Sequence, residues 1–277
     1  WRGMTCPLSA SQARPESWDY HSVKDTMDVA EHIKRAHSGA RLVCLGYSHG
    51  GNVVLGALAE ARGAEFFSAG VMLSAPYDLE AAMNWLERGS WFPYAFLNTK
   101  NMSREYMKSG AKLSIASSLL SGMRGFHEID NALSWKNLAT HLFVRRPYGS
   151  TWHDRITRHY TGHESVQAYY RSSTQMVQAA LLEIRIPVLC LLAEDDPVTP
   201  YFTFKGFIRE GQSPWITFLM TKHGGHCGWF HGFRGISWAD DLVVEFFGAC
   251  LCEKLEEQNG TTCRRVGSAK RQKTASC

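Results

Sequence analysis

At 277 residues with 44% hydrophobic side chains, the chain can bury one substantial core and reads most simply as one domain with room for an inserted subdomain. Its formal charge of +4 sits in the tail, where Arg264, Arg265, Lys270, Arg271 and Lys273 have no acidic neighbour over 258–277; the rest carries 25 basic against 26 acidic side chains, which argues against a nucleic-acid surface. No stretch approaches the roughly 20 apolar residues of a membrane helix, and the start Trp1-Arg2-Gly3-Met4-Thr5 lacks the apolar segment of a secretory leader.

Arg41 to Leu45 opens after Ser38-Gly39, is apolar and holds no proline, the pattern of a fully buried parallel strand. It runs into Gly46-Tyr47-Ser48-His49-Gly50, a G-x-S-x-G pentapeptide, then Gly51 and a helical pattern over Asn52 to Arg62 that stops near Gly63. A serine on a strand-to-helix turn, with glycine two residues away on either side, is held out of the sheet surface in a conformation that only small neighbours allow, which presents its hydroxyl as a nucleophile. A dinucleotide-binding loop would need G-x-G-x-x-G and an acidic residue closing the next strand. Here the spacing is G-x-S-x-G-G, and the next strand, Ala69 to Leu73, runs into Ser74-Ala75-Pro76.

Residues 77–183 form a long insertion between core strands. Its early part sets Trp85, Trp91, Phe92, Tyr94, Phe96 and Tyr106 among helix formers such as Ala81-Ala82-Met83. Most of these rings are expected to pack a cap onto the body, and an aromatic cap over a serine suits an acyl-chain pocket. His159 and His163 stand four apart, but Gly162 lies between them and the glutamate of H-E-x-x-H is absent. Ser172, Ser173 and Thr174 read as helix-boundary caps.

Ile186 to Ala193 is a strand that delivers Glu194-Asp195-Asp196-Pro197-Val198-Thr199-Pro200 at its C-terminal end, where α/β sheets place functional loops. Trp215 to Met220 is a second, ending in Thr221-Lys222-His223-Gly224-Gly225-His226-Cys227-Gly228-Trp229. A nucleophilic serine needs a histidine to take its proton and an acid to orient the imidazole, in the chain order serine, acid, histidine. Asp196 is preferred over Asp195 because Asp-x-x-x-Pro leads to Pro200 and Pro197 fixes the turn after it; Asp195 then caps or pairs locally. His226 is preferred over His223 because Gly224-Gly225 lets its loop approach the elbow. The backbone N–H of His49 is the expected oxyanion donor. A metal reading of His223, His226 and Cys227 finds no further ligand cluster, so no metal is expected.

Of eight cysteines, Cys44 and Cys190 fall in core strands and Cys250 and Cys252 in a late helical segment, with no C-x-x-C. Buried reduced thiols and a cytosol-facing, intracellular protein follow. The tail 258–277 has the composition of a disordered terminus.

The elbow Gly46 to Asn52, the segment Ala168-Tyr169-Tyr170-Arg171-Ser172-Ser173, the acid loop Ala193 to Pro197 and the loop Gly224 to Trp229 together resemble the AB hydrolase type-4 family, over Trp1 to about Phe247. These are α/β-hydrolase-domain lipid esterases and acyl-ester hydrolases or synthases. The resemblance implies an α/β-hydrolase fold over 1–257, a mostly parallel sheet with flanking helices and a helical cap insertion, with Ser48 as nucleophile, Asp196 as acid, His226 as base and no cofactor. Arg2-Gly3 resembles the family's turn after its fourth strand, so the N-terminal strands and the loop giving the second oxyanion N–H are expected to be missing. The function implied is a serine-dependent carboxylic ester hydrolase acting on a lipid-like acyl ester, without a nucleic-acid partner; peripheral membrane contact and oligomeric state stay open. Two other readings stand beside it. One is an acyl-ester synthase or acyltransferase on the same triad, though no H-x-x-x-x-D spacing occurs; the other is a non-catalytic binding or scaffold protein of the same fold.

Overall fold

The computed structural model describes residues 23–88, 163–208, 213–232 and 235–259. The expectations for Arg2-Gly3, for Trp91, Phe92, Tyr94, Phe96 and Tyr106, and for the tail beyond Asn259 lie outside the described residues.

Four parallel strands, β1 (Leu42–Tyr47), β2 (Phe67–Leu73), β3 (Val188–Ala193) and β4 (Ile216–Thr221), lie in that order in one sheet. Side chains alternate across a strand, and β3 shows the result: Val188, Cys190 and Leu192 enter one core, Leu189, Leu191 and Ala193 the other. All six are buried, as a strand covered on both faces requires.

Helix α1 (Lys24–Ala36), helix α2 (His49–Ala59) and the short α3 (Gly63–Phe66) belong to the first core, with α5 (Val166–Glu183) contributing Val177, Ala180 and Leu181. Helix α4 (Leu79–Arg88) follows β2 and packs against α5. Helix α7 (Trp238–Asn259) seals the second face through Ala239 and Val243, flanked by Phe246 and Phe247. The result is a helix–sheet–helix sandwich. A short α6 (Phe202–Lys205) and a two-residue hairpin, β5 (Phe230–His231) with β6 (Ile236–Ser237), complete the described elements. Among the described residues no helix is long and apolar enough to cross a membrane.

Two expectations are corrected. β1 is not fully buried: Cys44 is, but Leu45 is 40% and Tyr47 44% exposed. Among the described residues β1 pairs with β2 alone, so the side chains that alternate away from the first core are left half covered. Ser172, Ser173 and Thr174 do not stand at a boundary of their own helix, because they lie in the middle of α5. The cap is Ser165, whose Oγ accepts from the Ala168 N–H at 3.1 Å. Thr174 instead ties two helices together, its Oγ1 accepting from the Leu79 N–H at 3.3 Å.

Because all four strands run the same way, their C-terminal ends share one edge. Ser48, Asp196 and His226 follow β1, β3 and β4 at that edge, the place where open α/β sheets bind ligands.

Candidate active site

Ser48 links β1 to α2 with φ 50° and ψ −126°, a combination that side chains other than glycine rarely adopt. Hydrogen bonds hold it there: its N–H donates to Leu73 O at 2.7 Å, and its carbonyl accepts from the Gly51 N–H at 2.9 Å. The helix begins at the very next residue, earlier than the apolar periodicity from Asn52 suggests, because the turn completes within one residue.

The glycines divide the work differently from the motif reading. A Cβ on Gly46 would run into the carbonyl of Gly50, and one on Gly51 would lie 2.7 Å from the Cβ of Ala75, whereas one on Gly50 would meet nothing within 4 Å. The close approach therefore falls on the first glycine of the pentapeptide and on the one after it.

The three residues picked out by strand order come together. Ser48 Oγ lies 2.9 Å from His226 Nε2, and Nδ1 lies 2.9 Å from Asp196 Oδ2 with Oδ1 at 3.1 Å; in the neutral ring the hydroxyl donates to Nε2 and Nδ1–H donates to the carboxylate. These partners fix the imidazole tautomer. Asp196 is only 3% exposed, and its other contacts are local: Oδ1 accepts from the N–H groups of Val198 (2.8 Å) and Thr199 (2.9 Å), and Oδ2 from Thr199 Oγ1 (2.7 Å). Burial raises the Asp196 pKa, but the bonds from His226 and Thr199 outweigh it and hold the carboxyl below its ordinary value. Burial lowers the His226 pKa, while hydrogen bonds and charge from Asp196 and Cys227 raise it, and the balance stands at about 9.

Asp195 does more than pair locally. Its Oδ1 accepts from the Gly225 N–H at 2.8 Å and its Oδ2 meets His223 Nδ1 at 3.3 Å, so it staples the acid loop to the histidine loop. The two histidines thus turn to different aspartates, and the exposed His223 stays away from Ser48.

The expected reason for Gly224-Gly225 is also corrected. Neither glycine serves an approach to the elbow: a Cβ on Gly224 would collide with the indole of Trp229, and Gly225 adopts φ +56° in open space. Trp229 is 3% exposed and donates from Nε1 to Thr221 Oγ1 at 2.9 Å, while Gly224 O accepts from the N–H groups of Gly228 and Trp229 at 3.1 and 3.0 Å. His226 therefore rides on a small closed loop pinned by a buried indole.

His49 opens α2, so its N–H lies ahead of the helix ladder, at the positive end of the helix dipole. Burial lowers its imidazole pKa to about 4, which keeps the side chain beside Ser48 uncharged at neutral pH. Burial likewise pushes the Cys44 and Cys190 thiols up to about 12, as expected of inert core cysteines. Two residues that touch these loops carry no motif: Thr199, bonded to Asp196, and Ser74, whose Oγ accepts from the Cys227 N–H. A Thr three residues after an acid that closes its own turn was a usable signal for the first; Ser74 had none.

The sequence matches the family described as "Serine aminopeptidase, S33" over residues 11–230. The chain is 25% identical to the Embryogenesis-associated protein EMB8 of Picea glauca over 248 residues, 88% of this chain and 50% of that protein. It is 25% identical to Monoacylglycerol lipase ABHD2 of Danio rerio over 271 residues, 90% of this chain and 58% of that protein. It thus spans about half the length of these relatives. A solved monoacylglycerol lipase from Paleococcus ferrophilus superposes with a TM-score of 0.44 at 17% identity, covering 84% of this chain and 82% of that one. With the parallel sheet, the serine turn after β1 and a family match over most of its length, this chain belongs to the α/β-hydrolase superfamily, in the family described as serine aminopeptidase S33.

Proposed function

We propose that the chain is a serine-dependent carboxylic ester hydrolase acting on a lipid-like acyl ester. The observation that carries this is the unbroken hydrogen-bonded line from Ser48 Oγ through His226 to the buried Asp196. The relatives named as monoacylglycerol lipases support the substrate class.

In this reading Ser48 Oγ attacks the acyl carbonyl while its proton passes to His226 Nε2, and the carbonyl π electrons move onto the oxygen. The backbone N–H of His49 holds that oxyanion. Collapse breaks the bond to the alcohol oxygen, which takes the proton from Nε2–H and leaves an acyl-serine. Water then gives a proton to Nε2 as its oxygen attacks the acyl carbon, and the second collapse returns Ser48 Oγ its proton and releases the acid. Asp196 keeps the imidazole in the required tautomer and stabilises the imidazolium formed in each half-reaction.

The test is covalent labelling of the folded chain by a fluorophosphonate, compared with Ser48→Ala, followed by hydrolysis of a monoacylglycerol. A label lost in Ser48→Ala supports the reading. A folded protein that takes no Ser48-dependent label overturns it, and dominant ester formation with an added alcohol replaces hydrolysis by acyl transfer.

A further inference from the structure

Among the described residues, four other than glycine adopt positive φ: Ser48, Ser74, Cys227 and Trp229. All four sit at the edge where the three loops meet. Unfavourable backbone held in place at one locus is a pointer to function. Ser48 has its explanation in the elbow, and Cys227 and Trp229 shape the histidine loop. Ser74 has none in the proposed mechanism.

Ser74 is the first residue after β2, 0% exposed, with φ 50°. Its N–H donates to Leu191 O at 3.0 Å, fixing it to the neighbouring strand that leads into the acid loop. Its Oγ accepts from the Cys227 N–H at 3.1 Å. That N–H belongs to the peptide joining His226 to Cys227, so the bond sets the orientation of the backbone carrying the imidazole. The residue before it, Leu73, accepts from the Ser48 N–H at 2.7 Å. Thr199 Oγ1 lies 3.5 Å from Ser74 O, but its single proton goes to the nearer Asp196 Oδ2 at 2.7 Å. The nucleophile turn, the acid strand and the histidine loop are thus referred to one two-residue step at the end of β2. Glycine would take this backbone without strain, so what serine adds at this position is the hydroxyl.

We propose that Ser74 is a positioning residue, whose hydroxyl holds the His226–Cys227 peptide so that the imidazole spans Ser48 and Asp196. The proposal rests on the hydrolase reading for its consequence in turnover, but not for the geometry it predicts.

The experiment compares Ser74→Gly, which removes the hydroxyl and relieves the φ strain, with Ser74→Ala, which removes the hydroxyl and keeps it. Two readouts are taken on the full folded chain: the rate of Ser48 labelling by a fluorophosphonate, and the titration of the His226 ring followed by NMR, which needs no turnover. Both variants are expected to label about tenfold more slowly, with kcat falling and KM unchanged. The His226 midpoint is expected to move down by about half a pH unit or more as the ring loses its fixed alignment with Asp196. A Ser74→Gly protein with the parental titration midpoint overturns the proposal. A parental chain that shows no Ser48-dependent label refutes the hydrolase reading alone, and the titration then decides the role of Ser74 by itself.

Discussion

His226 is subject to opposing pulls, with burial lowering its pKa and Asp196 and Cys227 raising it, and the outcome near 9 gives a direct prediction. A general base must be neutral, so the rate of Ser48 labelling should climb by about tenfold per pH unit toward 9 and then level. A profile already flat from neutrality upward would contradict it. The same shifts act on stability. His226 is raised above its ordinary 6.5, so its contribution is complete below 6.5 and is lost as pH rises through about 9. Asp196 is lowered from 3.8, so its contribution is present above 3.8 and is lost as pH falls through its folded value. Urea unfolding at stepped pH should therefore find a plateau between these limits. The choice between neighbouring acids makes a sharper contrast. Asp196→Asn loses the partner that sets the tautomer and should cut kcat by on the order of 10³–10⁴-fold. Asp195→Asn keeps that partner and only loosens the Gly225 staple, so steady-state kinetics should show less than about a tenfold loss.

The elements hold these residues through close backbone approach. In the histidine loop, Gly224 lies against the indole of Trp229, so Gly224→Ala must push that ring out of its buried seat. The expected result is a destabilisation of about 1–3 kcal/mol with loss of Ser48 labelling, read by thermal unfolding and the fluorophosphonate rate. Gly50→Ala, although it alters a motif glycine, places its methyl in open space on α2 and should leave the unfolding midpoint unchanged or slightly raised. A motif reading gives both elbow glycines equal weight; only the packed structure separates Gly46 and Gly51, which meet backbone and side chain, from Gly50. The same limit explains the serine cluster of α5. Ser and Thr occur both at caps and on buried helix faces, and the contact between Thr174 and Leu79, far apart in sequence, is what decides between them.

At the scale of the whole molecule, the sheet divides the interior into two cores, and β3 feeds both. Leu191, at 0% exposure, faces the α7 side, and Leu191→Ala should cost about 2–5 kcal/mol in urea unfolding. Leu182, 56% exposed on α5, should cost no more than about 0.5 kcal/mol on the same change. A similar loss at both positions would contradict the two-core description. The strands were legible in the chain as short apolar runs, most clearly Val188 to Ala193, which is buried on both faces, and the loops after three of them carry Ser48, Asp196 and His226 in a fixed order; their neighbours in the sheet were not, because pairing joins residues far apart in sequence. Helix α1 carries no catalytic motif, but its signals are those of any amphipathic helix: Met27, Ala30 and Ile33 recur at helical spacing, Asp25 stands in the first turn, and Lys34 and Arg35 in the last. The sequence by itself pointed to the fold class, through the resemblance of its motifs to an α/β-hydrolase family, and brought forward Ser48, Asp196 and His226 as the candidate triad, because strand periodicity and turn chemistry are local properties of the chain. The tertiary structure alone decided that Asp195 bridges to the histidine loop and that Ser74 joins the ends of the strands. Those facts depend on which distant backbone groups are brought within hydrogen-bonding or van der Waals reach, and no local pattern encodes them.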